Sequence, residues 1–250
     1  MLISSPHKII SDLIRFPKWF FFAKQHSFPS TVIMKVKEKN LTYLDRQALI
    51  ELAKIALVNE QREVDGTIIE AGCALGGSAI VLASSKARER PFYIYDVFGM
   101  IPPPSIRDGQ DIHRRYRVIE SGNSSGIGGE CYYGYEEDLY LKVQQNFNEF
   151  RLETNTYNIK LIKGLYEDSL RVNFPVSLAH IDCDWYDSVM VCLNRIEPHL
   201  VLGGTLVIDD YFCYSGCKRA VDDYFSNQDK SKYQFEKKSR LHIIKTGLPT

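Results

Sequence analysis

The chain has 250 residues, 44% of them hydrophobic and 25% charged, and its 31 lysines and arginines balance 31 aspartates and glutamates. This is an ordinary globular composition, and a neutral balance gives no reason to expect a nucleic-acid partner, which leaves a small polar ligand as the simpler expectation. The six cysteines, Cys73, Cys131, Cys183, Cys192, Cys213 and Cys217, show no Cys-x-x-Cys spacing, so reduced thiols of a cytoplasmic protein are expected and zinc is not.

In chain order, residues 14–24 (IRFPKWFFFAK) are aromatic but broken by Arg15, Lys18 and Lys24. The stretch is too short to span a bilayer and lacks the uninterrupted apolar run of a signal peptide. It reads as part of a helical extension over residues 1–60 that packs on the main domain or on a second copy. Over residues 41–59, Leu44, Ala48, Leu49, Leu52, Ile55 and Ala56 recur at helical spacing. GTIIEAG then reads as a strand, GGSAIVLASSKA as a helix and PFYIYD as a second strand. Residues 97–134, rich in Pro, Gly and Ser, read as a long irregular insert, and segments of that length are usually functional. The alternation resumes with EEDLYLKVQQNFNEF (helix), NIKLIKG (strand), YEDSLRV (short helix), VSLAHID (strand), DSVMVCLNRIEPHL (helix), GGTLVIDD (strand) and GCKRAVDDYFS (helix). KYQFEKK and RLHIIKT close the chain as a hairpin. Strands alternating with helices predict one α/β domain with a mostly parallel sheet covered on both faces.

The turn after the first strand, EAGCALGGS, carries Glu70, Gly72, Gly76, Gly77 and Ser78. Glycines let such a turn fold sharply and approach a ligand closely. The spacing is G-x-x-x-G-G, which fits neither the dinucleotide fingerprint nor a P-loop. Asp96 ends the second strand, where an acidic side chain commonly meets ribose hydroxyls. A ribose-bearing ligand without a pyrophosphate points to S-adenosylmethionine rather than NAD, and Glu70 would suit its cationic groups.

HIDCDWYDSVM (residues 180–190) and GGTLVIDDYF (residues 203–212) place carboxylates at the ends of two buried strands. If these strands are neighbours, about 5 Å apart, Asp182, Asp209 and Asp210 converge in the crevice where such folds bind ligands. No lysine or arginine stands near them in sequence, so a divalent cation with oxygen ligands, Mg²⁺, Mn²⁺ or Ca²⁺, is expected to relieve their repulsion. Asp187 is assigned to capping the following helix, and Asp184 is open between the two roles.

Together EAGCALGGS, YDVFGMIPPP, HIDCDWYDSVM and GGTLVIDDY resemble the macrocin O-methyltransferase family across residues 60–225. The resemblance implies a Rossmann-like class I methyltransferase fold, with a mostly parallel seven-stranded sheet, a C-terminal antiparallel hairpin and helices on both faces. It implies S-adenosylmethionine- and Mg²⁺-dependent methylation of a hydroxyl on a sugar or sugar-containing natural product. By that resemblance Asp182, Asp209 and Asp210 are metal ligands, Asp182 is also the general base, and Glu70, Gly72, Gly76, Gly77, Ser78 and Asp96, with Tyr166, bind the cofactor. Some members carry a histidine before the helix after the insert; here that stretch is GGECYYGYEED, which leaves Tyr132, Tyr133 or the upstream His113 for that role, or the role absent. A catechol-type methyltransferase, an NAD-linked oxidoreductase and a non-catalytic cofactor-binding protein are the alternatives. The insert, residues 97–134, is expected to act as a lid that reads the acceptor.

Overall fold

The computed structural model describes residues 24–247. Except for Lys24, the aromatic segment and its suggested contact with a second copy lie outside these residues. No helix among them is long and apolar enough to cross a membrane.

The elements, in chain order, are α1 (Ser27–Glu38), α2 (Arg46–Gln61), β1 (Thr67–Ala71), α3 (Gly77–Ala83), β2 (Phe92–Asp96), α4 (Gln110–Glu120), α5 (Leu139–Glu149), β3 (Ile159–Lys163), α6 (Tyr166–Ser169), β4 (Val176–Ile181), α7 (Tyr186–Ile196), β5 (Leu200–Ile208), α8 (Ser215–Ser226), β6 (Tyr233–Lys237) and β7 (Leu241–Lys245). They build one seven-stranded sheet in the order β3-β2-β1-β4-β5-β7-β6. The pairs among β1 to β5 are parallel, and β7 runs antiparallel to both β5 and β6. The sheet and its closing hairpin are as the sequence pattern predicts.

Both β1 and β4 are buried along their whole length, as parallel strands covered on two faces must be. Successive side chains point to opposite faces. Thus Ile68 and Leu178 join the core built with α1, α2, α3 and α5, while Ile69 and Ala179 join the core beneath α7 and α8. Between these layers the chain reverses strand order at β1 and β4, and their carboxyl ends frame a crevice.

Three local expectations need correction. The helix expected over residues 41–59 starts only at Arg46, where Asp45 caps it by accepting from Ala48 N at 2.9 Å. Leu41 and Leu44 belong to the link between α1 and α2, buried there beside α3. Leu41 O accepts from Gly77 N at 3.1 Å, so the link passes close over the start of α3. The insert is not irregular throughout, since α4 occupies Gln110–Glu120 and buries Ile112 and Ile119. Asp187 does not cap α7: the residue at that position is Trp185, and Asp187 pairs with Arg107 instead.

Candidate active site

The crevice opens into a cavity of about 450 Å³, a size typical of small-molecule sites. One of its walls begins where β1 ends. Gly72 has φ +90°, and a Cβ there would lie 1.8 Å from the Asp182 carbonyl oxygen. Only glycine allows the β1 turn to pass this close to the β4 turn. Asp96 organises the same loop: its Oδ2 accepts from Cys73 N at 2.8 Å and Ala74 N at 3.3 Å, and its Oδ1 accepts from Phe98 N at 2.7 Å. Burial raises its pKa against the lowering effect of those amides. Its carboxylate thus shapes the loop as well as lining the cavity, so a ligand is not its sole partner. Ser78 and Tyr166 also line the cavity.

The remaining loop residues stand behind this surface. Gly76 and Gly77 are absent from the lining; a Cβ on Gly76 would meet Val143 Cγ1 at 3.1 Å, and one on Gly77 would meet Leu41 O at 2.4 Å. Their smallness lets α5 and the link between α1 and α2 pack against the start of α3. Glu70 is fully buried and takes no part in the lining. Its Oε1 accepts from Ser78 Oγ at 2.5 Å and faces His180 Nδ1 at 2.9 Å. The register pairs Glu70 with His180 across β1 and β4, which explains how two polar side chains meet inside the sheet. Burial alone would lower the His180 pKa, but the Asp209 and Glu70 carboxylates raise it to about 10.

On the opposite wall, the β4 and β5 turns do converge. Asp209 N donates to Ile181 O at 3.0 Å, and Asp182 N donates to Ala71 O at 2.8 Å. Oxygen atoms of Asp182, Asp184 and Asp210 lie within 4.8 Å of one another, and His180, Asp182 and Asp209 form a second such group. Asp184 joins the cluster because its φ is 58°, a left-handed conformation that aspartate tolerates better than most residues. Burial, then the neighbouring Asp209 charge, drives the Asp182 pKa well above the usual carboxylate range. Burial and Asp184 do the same to Asp210. The Asp184 pKa is also raised by burial, although the neighbouring Asp210 carboxyl opposes this. Asp210 Oδ2 is buried without a hydrogen-bond partner.

Asp209 differs from the other three. Arg240 Nε donates to its Oδ1 at 2.5 Å, and His180 Nε2 stands 3.6 Å from the same oxygen. Burial works to raise this carboxyl, but His180 and Arg240 together hold it below the usual range. The expectation that no basic residue relieves the cluster therefore fails for Asp209. The contact follows from the strand pairing: β5 pairs Ile208 with Leu241 antiparallel, so the next position outward sets Arg240 across from Asp209.

The insert supplies the outer wall, including Val97, Ile101, Pro102, Arg115, Tyr132 and Tyr133. Tyr132 and Tyr133 lie with ring centroids 4.4 Å apart, and the Arg115 guanidinium stands 5.6 Å from the Tyr132 centroid. His113 is not part of the lining, so of the three residues considered for that role, only the tyrosines reach the cavity. Trp185 Nε1 donates to Pro102 O at 2.8 Å, tying the insert to the β4 turn. Arg115 was missed in the sequence, although Ile112 and Ile119 flank it at helical spacing.

Comparison with known proteins bears on the family and the fold. The chain is 26% identical over 172 residues to demethyldecarbamoylnovobiocin O-methyltransferase of Streptomyces niveus, a match covering 66% of this chain and 60% of that one. It is 25% identical over 172 residues to mycinamicin III 3''-O-methyltransferase of Micromonospora griseorubida, covering 64% and 61%. The matched regions thus span about three-fifths of these curated relatives' own length. Among solved structures, the O-methyltransferase NovP superposes with a TM-score of 0.68 at 21% identity, covering 83% of both chains. The calicheamicin methyltransferase CalS11 superposes with a TM-score of 0.57 at 12% identity, covering 97% of this chain and 94% of that one. Both similarities bear on the fold, which is that of the class I methyltransferases. The profile of the macrocin O-methyltransferase family (TylF) matches residues 38–236, which run from the end of α1 through the glycine turn, both carboxylate turns and the insert to β6, and the chain belongs to that family.

Proposed function

We propose that this protein transfers the methyl group of S-adenosylmethionine to a hydroxyl of a sugar or sugar-bearing small molecule, at a site that also holds a divalent cation. The observation that carries this reading is the junction of two half-sites at the β1 and β4 turns, where Gly72 closes on Asp182 O. The cofactor's adenosine and methionine parts would lie along Gly72, Cys73, Ala74, Ser78, Asp96 and Tyr166, all of which line the cavity. Glu70 acts from behind by holding Ser78.

The carboxylate side suits a cation for three reasons. Asp182, Asp184 and Asp210 converge within 4.8 Å, Asp210 Oδ2 is buried with no partner, and burial makes full ionisation of the trio unfavourable without a counter-charge. Oxygen ligands of this kind favour Mg²⁺ or Mn²⁺. Asp182, Asp210 and Asp184 would hold the ion, with Asp209 contributing less because Arg240 already occupies its Oδ1. When bound, the cation supplies charge that lowers the pKa of a hydroxyl held beside it. Asp182 is the group proposed to receive the hydroxyl proton, and Asp184 is a second carboxylate turned into the same space. Tyr132, Tyr133 and Trp185 exclude water and orient the acceptor ring. On this reading, residues 97–134 form the acceptor-side wall of a single catalytic domain.

Two experiments test the proposal. Calorimetry should give binding of S-adenosylhomocysteine and none of NAD; the reverse would overturn the cofactor assignment. Labelled S-adenosylmethionine, offered with a panel of sugars, glycosides and catechols, should label a glycoside or sugar. The aromatic wall keeps catechols in the panel, and labelling confined to them would replace the sugar reading.

A further inference from the structure

α7 and α8 begin immediately after the two carboxylate turns, and neither can cap itself: the capping positions hold Trp185 and Tyr214, with no capping hydrogen bond from either side chain. The insert supplies what they lack. Asp108 Oδ1 accepts from Tyr186 N, the first amide of α7, at 2.8 Å, while its Oδ2 accepts from Ser105 N at 2.9 Å. Asp111 accepts from Ser215 N at 3.1 Å and from Ser215 Oγ at 2.6 Å, at the first residue of α8. Asp108 also lies against α8, since a Cβ on Gly216 would come within 2.3 Å of its Oδ1 and 2.6 Å of Ile112 Cδ1. At 8% exposure, Asp108 is held between the two helix starts. Side-chain acceptors at helix N-termini fix the direction in which the chain enters the helix. Here that entering chain is Asp182 to Trp185 on one side and Asp209 to Tyr214 on the other.

We infer that Asp108 is a positioning residue: by capping α7 at Tyr186 while abutting Gly216 of α8, it sets the Asp182–Asp184 turn against the Asp209–Asp210 turn. The insert is then a clasp across the two halves of the carboxylate site, and not only a cover over it. This inference rests on the proposed cation site, because the geometry it protects is that of the ion's ligands.

The test is Mn²⁺ titration of the full chain, followed by water-proton relaxation, for the parent, Asp108→Ala, Asp108→Asn and Gly216→Ala. Emission of Trp185 is recorded alongside, in a Trp19→Phe background where it is the remaining tryptophan. Loss of a residue that orients ligands typically weakens metal binding by about 10–100-fold, and Asp108→Ala should do so. Asp108→Asn retains an oxygen for the Tyr186 amide and should stay near the parent. Gly216→Ala should weaken Mn²⁺ binding by pushing Asp108 away, even though alanine favours a helix more than glycine does. Parent-like Mn²⁺ affinity in both Asp108→Ala and Gly216→Ala would overturn the inference. If Asp108→Ala does not fold, Gly216→Ala decides alone by the same criterion. If the parent itself takes up no Mn²⁺, the cation reading fails separately. Trp185 emission then judges the clasp: a red shift in Asp108→Ala but not in Asp108→Asn supports it, and identical spectra overturn it.

Discussion

Replacing Arg240 with methionine removes the positive charge from beside a nearly buried carboxylate while keeping most of the side chain's bulk. Arg240 Nε and Asp209 Oδ1 are 2.5 Å apart, with the two side chains only 18% and 9% exposed. Removing one partner of a buried pair costs about 3–5 kcal/mol, because the other charge is left uncompensated. His180 remains 3.6 Å from the same oxygen, and Arg240 keeps some contact with water, so the cost here should fall at or below the low end of that range, about 2–3 kcal/mol. The double variant Asp209→Asn/Arg240→Met removes both charges and should return to within about 1 kcal/mol of the parent, giving a coupling of about 1–2 kcal/mol plus whatever Asp209→Asn costs alone. Urea denaturation in excess chelator, with the slope unchanged between variants, measures all four corners of the cycle. A cost for Arg240→Met below about 1 kcal/mol, the size expected of an exposed pair, would refute the assignment of Arg240 as the counter-ion. A double variant no more stable than Arg240→Met would refute it equally.

Three further outcomes are expected. Gly72→Ala places a Cβ 1.8 Å from Asp182 O at φ +90°; the backbone conformation alone costs about 1–2 kcal/mol, and the displaced turn should also weaken S-adenosylhomocysteine binding, both measurable by thermal shift with and without ligand. Deleting residues 105–111 removes the acceptors at both helix starts, each worth about 0.5–2 kcal/mol, so it should lower Tm clearly; an unchanged Tm would show that the insert is a passive cover. His242, buried in β7, has its pKa lowered to about 4 by burial and by the Lys238 charge. The unfolded chain therefore binds that proton near 6.5 and the native one near 4. Stability should be fully present above about 6.5 and decline as pH falls through that window. Urea midpoints for His242→Gln should lose that part of the acid dependence.

The sheet was legible because its central strands are largely apolar runs and its helices carry a 3.6-residue pattern. The meeting of the β4 and β5 turns followed from strand adjacency, which the register realises. What lay beyond sequence reading came from long-range pairing. Glu70 and His180 are separated by 110 residues and meet only through the β1–β4 register. Arg240 reaches Asp209 only because β7 reverses against β5. Asp184 enters the cluster through a backbone conformation, φ 58°, that its neighbours in sequence do not announce. The insert hid α4 because its apolar face is narrow, with Ile112 and Ile119 buried among charged residues. The caps at Tyr186 and Ser215 come from a segment about 75–105 positions earlier in the chain, where no local signal links them.

The carboxylates at the ends of β4 and β5 are proposed to hold a cation needed for methyl transfer. The most direct measurement of this is the rate of transfer from labelled S-adenosylmethionine to an accepted hydroxyl, with and without chelator, for the parent, Asp182→Asn and Asp187→Asn. Chelation should abolish the parent's activity, and added Mg²⁺ should restore it. Asp182→Asn should cut turnover by orders of magnitude with S-adenosylhomocysteine affinity nearly intact, while Asp187→Asn, whose partner is Arg107, should remain close to the parent. Full activity in excess chelator, with Asp182→Asn as active as Asp187→Asn, would contradict the account and leave the cluster a structural feature.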